Sequence, residues 1–144
     1  MTRLAHAAGL PLPKYASKDA AGADVCAALD ADLILRPGAR AAVPTGLCVE
    51  IPQGYEMQVR PRSGLALRDG IGLLNAPGTI DADYRGEIKI IVVNHGSHDV
   101  VVKRGDRIAQ LVLAPVVSGI FEDAETLAPS DRGEAGFGST GVRG

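Results

Sequence analysis

Apolar and polar residues alternate with a period of two along several short stretches, and turn-forming residues close each one. Leu47, Val49 and Ile51 alternate with Cys48 and Glu50 before Pro52-Gln53-Gly54 turns the chain. Tyr55, Met57 and Val59 then alternate with Glu56, Gln58 and Arg60. This period marks a strand with one face buried. Leu33-Ile34-Leu35, closed by Arg36-Pro37-Gly38, reads as another strand, and so does Ala41-Ala42-Val43, closed by Pro44-Thr45-Gly46. Further strands are expected at Ile71–Leu74, at Val100–Val102 and from Ile108 to Val117. The best helix candidate is Ser63 to Leu67, with Ser63 as its cap. No stretch sustains helical spacing over several turns. Short strands with frequent turns predict an all-β sandwich, jelly roll or barrel, not a doubly wound α/β fold.

One stretch stands apart. Asn75-Ala76-Pro77 leads into Gly78-Thr79-Ile80-Asp81-Ala82-Asp83-Tyr84-Arg85-Gly86, and the apolar run from Glu87 to Val93 follows. It reads as a hairpin whose tip presents two carboxylates, a phenol and a guanidinium. A carboxylate on a rigid turn suits a general base for water. The plainer reading is that acids are common in turns because they hydrogen-bond locally.

Composition narrows the class. The 144 residues suit one domain, and 46% hydrophobic content suits a packed core. A net charge of −2 gives no bulk attraction for nucleic acid or an anionic membrane. An anionic ligand would need local cations and a metal ion. Cys26 and Cys48 share no metal-ligand spacing with His6, His95 or His98, so two buried free thiols in a reducing compartment are expected. Gly9, Pro11 and Pro13 interrupt the N-terminus, which argues against a signal peptide, and no apolar run approaches membrane-spanning length. A cytoplasmic protein follows.

Other segments carry candidate chemistry. Asp24 is the one charge among the small residues Ala21 to Ala28, and a turn or cap role suits it equally. Arg62 offers a planar fork for phosphate and Ser63 a hydroxyl. Gln110 sits among Ile108, Ala109 and Leu111, where an amide must find a partner or face a ligand. From Phe121 the composition turns polar and acidic. A single β domain over residues 1–121 is therefore expected, followed by a linker and mobile tail over 122–144. The tail, Arg132 to Gly141, is Gly-rich, with Phe137, Ser139 and Thr140. It is not a P-loop, because no Lys precedes Ser139.

Five segments stand in one order: 21–28, 60–67, 75–89, 104–113 and 132–141. Together they resemble the trimeric dUTPase family, and the match covers nearly the whole chain. The resemblance implies a jelly-roll-like β fold of the β-clip barrel type, with one short helix after the second motif. It implies a homotrimer with active sites at subunit interfaces, and hydrolysis of dUTP to dUMP and pyrophosphate with Mg²⁺.

In that family the third motif binds uracil largely through backbone groups. This implies base contacts at Asn75, Thr79 and Ile80. Asp81 matches the carboxylate that activates the attacking water, and Tyr84 the aromatic whose crowding rejects a 2′-hydroxyl. Arg62, Ser63, Gly64 and Gln110 match phosphate-contacting positions, Lys89 a site-lining one. Asp24 matches a supporting acid near the metal-bound phosphates. Arg132, Phe137, Gly138, Ser139 and Thr140 match the tail that closes over the substrate. One departure is visible, since the family usually has Gly where this chain has Ala135. Two rival readings are a dCTP deaminase of the same fold and a non-catalytic jelly-roll module. The pattern from Ile80 to Tyr84 and the full tail favour the dUTPase over both.

Overall fold

The computed structural model describes residues 1–136. Eleven strands and one α-helix appear among them. The long strands β5 (Arg40–Cys48) and β9 (Glu87–Asn94) pair antiparallel at the centre of one sheet. The short strands β1 (Thr2–Arg3) and β7 (Ile71–Leu73) flank them in the order β1-β5-β9-β7. A second sheet is built from β2 (Lys14–Tyr15), β3 (Ala23–Cys26), β6 (Tyr55–Arg60), β8 (Gly78–Ile80) and β11 (Arg107–Pro115). Its order is β2-β3-β11-β6-β8, so β11 is central and β8 is an edge. The strands β4 (Leu33–Leu35) and β10 (Val100–Val102) form a separate antiparallel pair.

The period of two determines what each strand buries. On β9 the residues Ile88, Ile90 and Val92 point inward, and Lys89 between them is exposed. Val43 and Leu47 on β5 join them, and the second sheet contributes Val25, Val59 and Leu111 to the same cluster. Leu35, Ile90, Val25, Val43 and Val92 are each less than 2% exposed. Burying a side chain of this kind contributes about 1.5–3 kcal/mol. Two buried polar residues are fully partnered. Asn94 donates to Leu35 O and His98 O, each at 2.8 Å, and accepts from Gly96 N. The Thr45 hydroxyl donates to Ile88 O at 2.7 Å and ties β5 to β9.

Three local expectations are corrected. Pro44-Thr45-Gly46 does not close a strand. β5 runs through it as one nine-residue strand, and the pairing with β9 shifts register between Pro44 and Cys48. Gly46 takes the irregularity with φ of 64°, and a Cβ there would collide with Ala7. The stretch after Asn75 is not a paired hairpin. β8 bonds to β6 in one sheet, while β9 bonds to β5 and β7 in the other, so the turn between them bridges two sheets. The helix α1 runs from Ser63 to Asp69, beyond Leu67, and ends where Gly70 adopts φ of 68°. Arg62, not Ser63, holds its cap position, and no side chain caps it. Among the described residues the last strand ends at Pro115, and Val117, Ile120, Phe121 and Leu127 beyond it are exposed.

Candidate active site

The bridge between the sheets makes a cleft of about 500 Å³, a size suited to a small-molecule ligand. Asn75, Thr79, Ile80, Asp81, Tyr84 and Lys89 all line it. Sequence separation is modest here, but the grouping depends on β8 and β9 entering different sheets. The cleft opens between them instead of being filled by ladder hydrogen bonds. Strand β8 bonds to β6 along one edge, through Val59↔Gly78, Gln58↔Thr79 and Met57↔Ile80, and among the described residues has no strand on its other side. An edge strand presents backbone N–H and C=O groups to whatever lies beside it. Ile80 is 7% exposed, and its side chain belongs to the core cluster.

Asp81 is exposed, and its backbone O accepts from Tyr84 N at 3.1 Å to make the turn. Among the described residues its carboxylate enters no ion pair. The Tyr84 hydroxyl donates to Glu87 O at 3.0 Å, which lays the ring along the turn. Gly86 makes room for it, because a Cβ at Gly86 would overlap the tyrosine hydroxyl. Glu87 also lines the cleft, and sequence reasoning missed it. Its Oε1 bonds with His6 Nε2 and accepts from Gly46 N, both at 2.8 Å, while Oε2 lies 3.8 Å from Lys89 Nζ.

A second cluster forms on the five-stranded sheet around Asp24. The register places Asp24 on β3 opposite Gln110 on β11, and Gln110 opposite Arg60 on β6. Asp24 is therefore a strand residue, not a turn or helix-cap acid, and its side chain is 9% exposed. It accepts from Arg62 at Oδ1 (3.1 Å) and Oδ2 (3.4 Å), from Arg107 at 2.9 Å and from Gln110 at 3.3 Å. Arg62 also donates to Arg107 O at 3.1 Å. Gly22 keeps this arrangement open, since a Cβ there would approach the Gln110 side chain to 3.1 Å. Sequence reasoning missed Arg107. Its position three residues before Gln110 was the one available signal. Neighbouring Arg104 is structural and holds the N-terminal segment through the carbonyls of His6, Ala8 and Leu29.

Ser63 and Gly64 follow Arg62 and are exposed. A Cβ at Gly64 would meet nothing within 4 Å, so the chain's own packing does not require glycine there. Cys26 and Cys48 are free and half-buried, not buried as expected. Burial pushes the Cys26 thiol above its ordinary value, with Arg107 pulling the other way. His95 and His98 are exposed. Arg132 sits in a turn and donates to Ala135 O at 2.7 Å, and Gly133 takes the positive φ of that turn. Phe137, Gly138, Ser139 and Thr140 lie outside the described residues.

The two clusters do not share a hollow. The Asn75–Lys89 cleft includes none of Asp24, Arg62, Ser63 or Gln110. Arg62 lines a different hollow with Arg107, and Gln110 lines another with Pro77.

Comparison with known proteins decides the family. The dUTPase family model matches residues 8–141. This chain belongs to the dUTPase family. It is 57% identical over 141 residues to the deoxyuridine 5'-triphosphate nucleotidohydrolase of Beijerinckia indica, covering 96% of this chain and 88% of that one. It is 55% identical over 140 residues to the same-named protein of Anaplasma marginale, covering 97% and 95%. Among solved structures, the Staphylococcus bacteriophage 80alpha dUTPase with dUPNHPP is similar at a TM-score of 0.80 and 28% identity, covering 92% of this chain and 93% of that one. The all-β architecture, with a single short α-helix among the described residues, is thus the jelly-roll-like dUTPase fold.

Proposed function

We propose that this chain hydrolyses dUTP to dUMP and pyrophosphate, removing a source of uracil in DNA and supplying dUMP for dTMP synthesis. The observation that carries the reading is the cleft between the sheets. It joins a strand edge and a carboxylate that are without strand or ion-pair partner among the described residues, and an aromatic ring, within one nucleoside-sized space. In the proposed roles, Asn75 and the backbone of Thr79 and Ile80 read uracil. Tyr84 packs against the deoxyribose and leaves no room for a 2′-hydroxyl. Asp81 takes a proton from a water whose oxygen attacks the α-phosphorus. The bond from that phosphorus to the bridging oxygen breaks, and pyrophosphate leaves. Hydrolysis at phosphorus needs positioning and charge neutralisation more than covalent help, which suits a reading in which water is the attacking group.

Arg62, Ser63, Gly64 and Gln110 would hold phosphates, with Lys89 at the cleft wall. Arg132, Phe137, Gly138, Ser139 and Thr140 would close over the substrate. Because the nucleoside cleft and the Arg62 cluster do not share a hollow within one chain, the reading includes a homotrimer whose copies complete one another's sites. Mg²⁺ would neutralise charge on the triphosphate and fix its shape. Among the described residues no group of three His, Cys, Asp or Glu could hold a metal, and Asp24 already accepts from two guanidiniums and an amide. The phosphates would therefore be the ion's main ligands. Asp24 would act chiefly by orienting the arginines. A cytoplasmic location goes with this reading, where nucleotide pools and reduced thiols occur together.

Pyrophosphate release measured with dUTP, dTTP, dCTP and UTP, with and without Mg²⁺, tests the proposal. Release from dUTP far above the others, and dependent on Mg²⁺, is expected. Ammonia from dCTP would establish the deaminase instead, a reading that the relatives' activity does not favour.

A further inference from the structure

We infer that Arg107 is a second triphosphate-binding guanidinium, oriented by Asp24; this rests on the dUTP reading above. The cluster holds two guanidiniums against one carboxylate, so one positive charge is uncompensated. The two arginines are not equivalent. Arg62 uses all three nitrogens: Nε and Nη2 on Asp24, and Nη1 on Arg107 O. Its side chain is 25% exposed. Arg107 gives only Nη1 to Asp24, and its side chain is 57% exposed. Among the described residues its Nε and Nη2 have no partner, so the surplus charge and the unused donors belong to the same residue.

A triphosphate carries several negative charges, and planar N–H forks bind phosphate oxygens better than a point charge does. Asp24 holds Arg107 beside Gln110 and Arg62, the positions already proposed to touch phosphate. Arg107 therefore recognises the phosphate chain, not the nucleoside. The affinity it contributes depends on how many phosphates the ligand carries.

The test uses the full chain and its R107Q and R107K variants, with calorimetric titration of dUpNHpp and of dUMP, and a thermal melt of each protein. R107Q should weaken dUpNHpp at least about tenfold and dUMP by less than about twofold, because one charge-assisted contact to the chain is lost. R107K keeps the charge without the fork and should fall between the wild type and R107Q. It carries the same comparison if R107Q fails to fold. Equal loss for dUMP and dUpNHpp, or no loss for either, would overturn the inference and leave Arg107 as a support for Asp24. A wild-type chain that binds no dUpNHpp and releases no pyrophosphate from dUTP would refute the dUTP reading, and this inference with it.

Discussion

Replacing Gly86 with Ala separates the fold of this protein from the sugar selectivity proposed for Tyr84. Gly86 does not occupy the left-handed region, so Ala is allowed by the backbone. The added Cβ has one conflict, which is with the Tyr84 ring, overlapping its hydroxyl and standing 3.0 Å from Cε2. Tyr84 is 44% exposed, so the ring can swing toward solvent without disturbing the core. Swinging out breaks the hydroxyl's bond to Glu87 O, worth about 0.5–1.5 kcal/mol. Gly-to-Ala replacement at an allowed position returns about 0.4–1 kcal/mol by restricting the unfolded chain. The two nearly cancel, so stability should stay within about 1 kcal/mol, or roughly 2–4 °C in melting temperature. Selectivity should change much more. A steric gate against one extra group is worth about 10–200-fold, and displacing the ring should lower the ratio of kcat/KM for dUTP over UTP by about tenfold or more. The assay is steady-state pyrophosphate release with both nucleotides beside a thermal melt at fixed protein concentration. A variant that melts normally and keeps the wild-type ratio would remove Tyr84 from the role of sugar gate. One that unfolds would make Gly86 a residue of the fold.

Asp81→Asn should fold and bind dUpNHpp but turn over about 10²–10⁴-fold more slowly, since an amide cannot accept the water's proton; near wild-type turnover would exclude Asp81 as the base. Asp24→Asn leaves two guanidiniums without a counter-charge. Breaking a buried pair costs about 3–5 kcal/mol, but exposure of Arg107 lowers the figure here to about 1–3 kcal/mol, and an unchanged melting temperature would show that the cluster is not stabilising. Burial raises the Cys26 pKa, so the folded state holds its proton more tightly than the unfolded chain does. The stability this contributes is present below the ordinary value of 9.0 and is lost as pH rises through the folded value. Denaturant melts at increasing pH should therefore show the wild type losing stability relative to Cys26→Ala above that point, and parallel curves would contradict the shift.

Two structural features lie outside any local pattern. Asp24 and Arg107 are 83 residues apart, and Gly46 and Glu87 are 41 apart, yet each pair is joined by a 2.8–2.9 Å hydrogen bond. The first depends on β3 pairing with β11, the second on a register shift between β5 and β9.

The sequence alone determined the class of the fold and pointed to the stretch that lines the cleft. A period of two and regular turns force strands, because side chains on a strand alternate between faces whatever the neighbouring strand may be. That is why the strands holding Val43, Val59 and Val102 were legible, and why the stretch from Asn75 to Lys89 was legible as chemistry. Which strands pair is a different question, since alternation looks the same against any partner. Tertiary structure therefore decided that β8 and β9 part into two sheets and open a cleft. It decided that Pro44-Thr45-Gly46 continues a strand because Thr45 bonds Ile88, and that Ser63 begins a helix without capping it. It turned Asp24 from a solitary acid into the counter-charge of two arginines. Electrostatic partnership is set by distance in space, and a sequence records only distance along the chain.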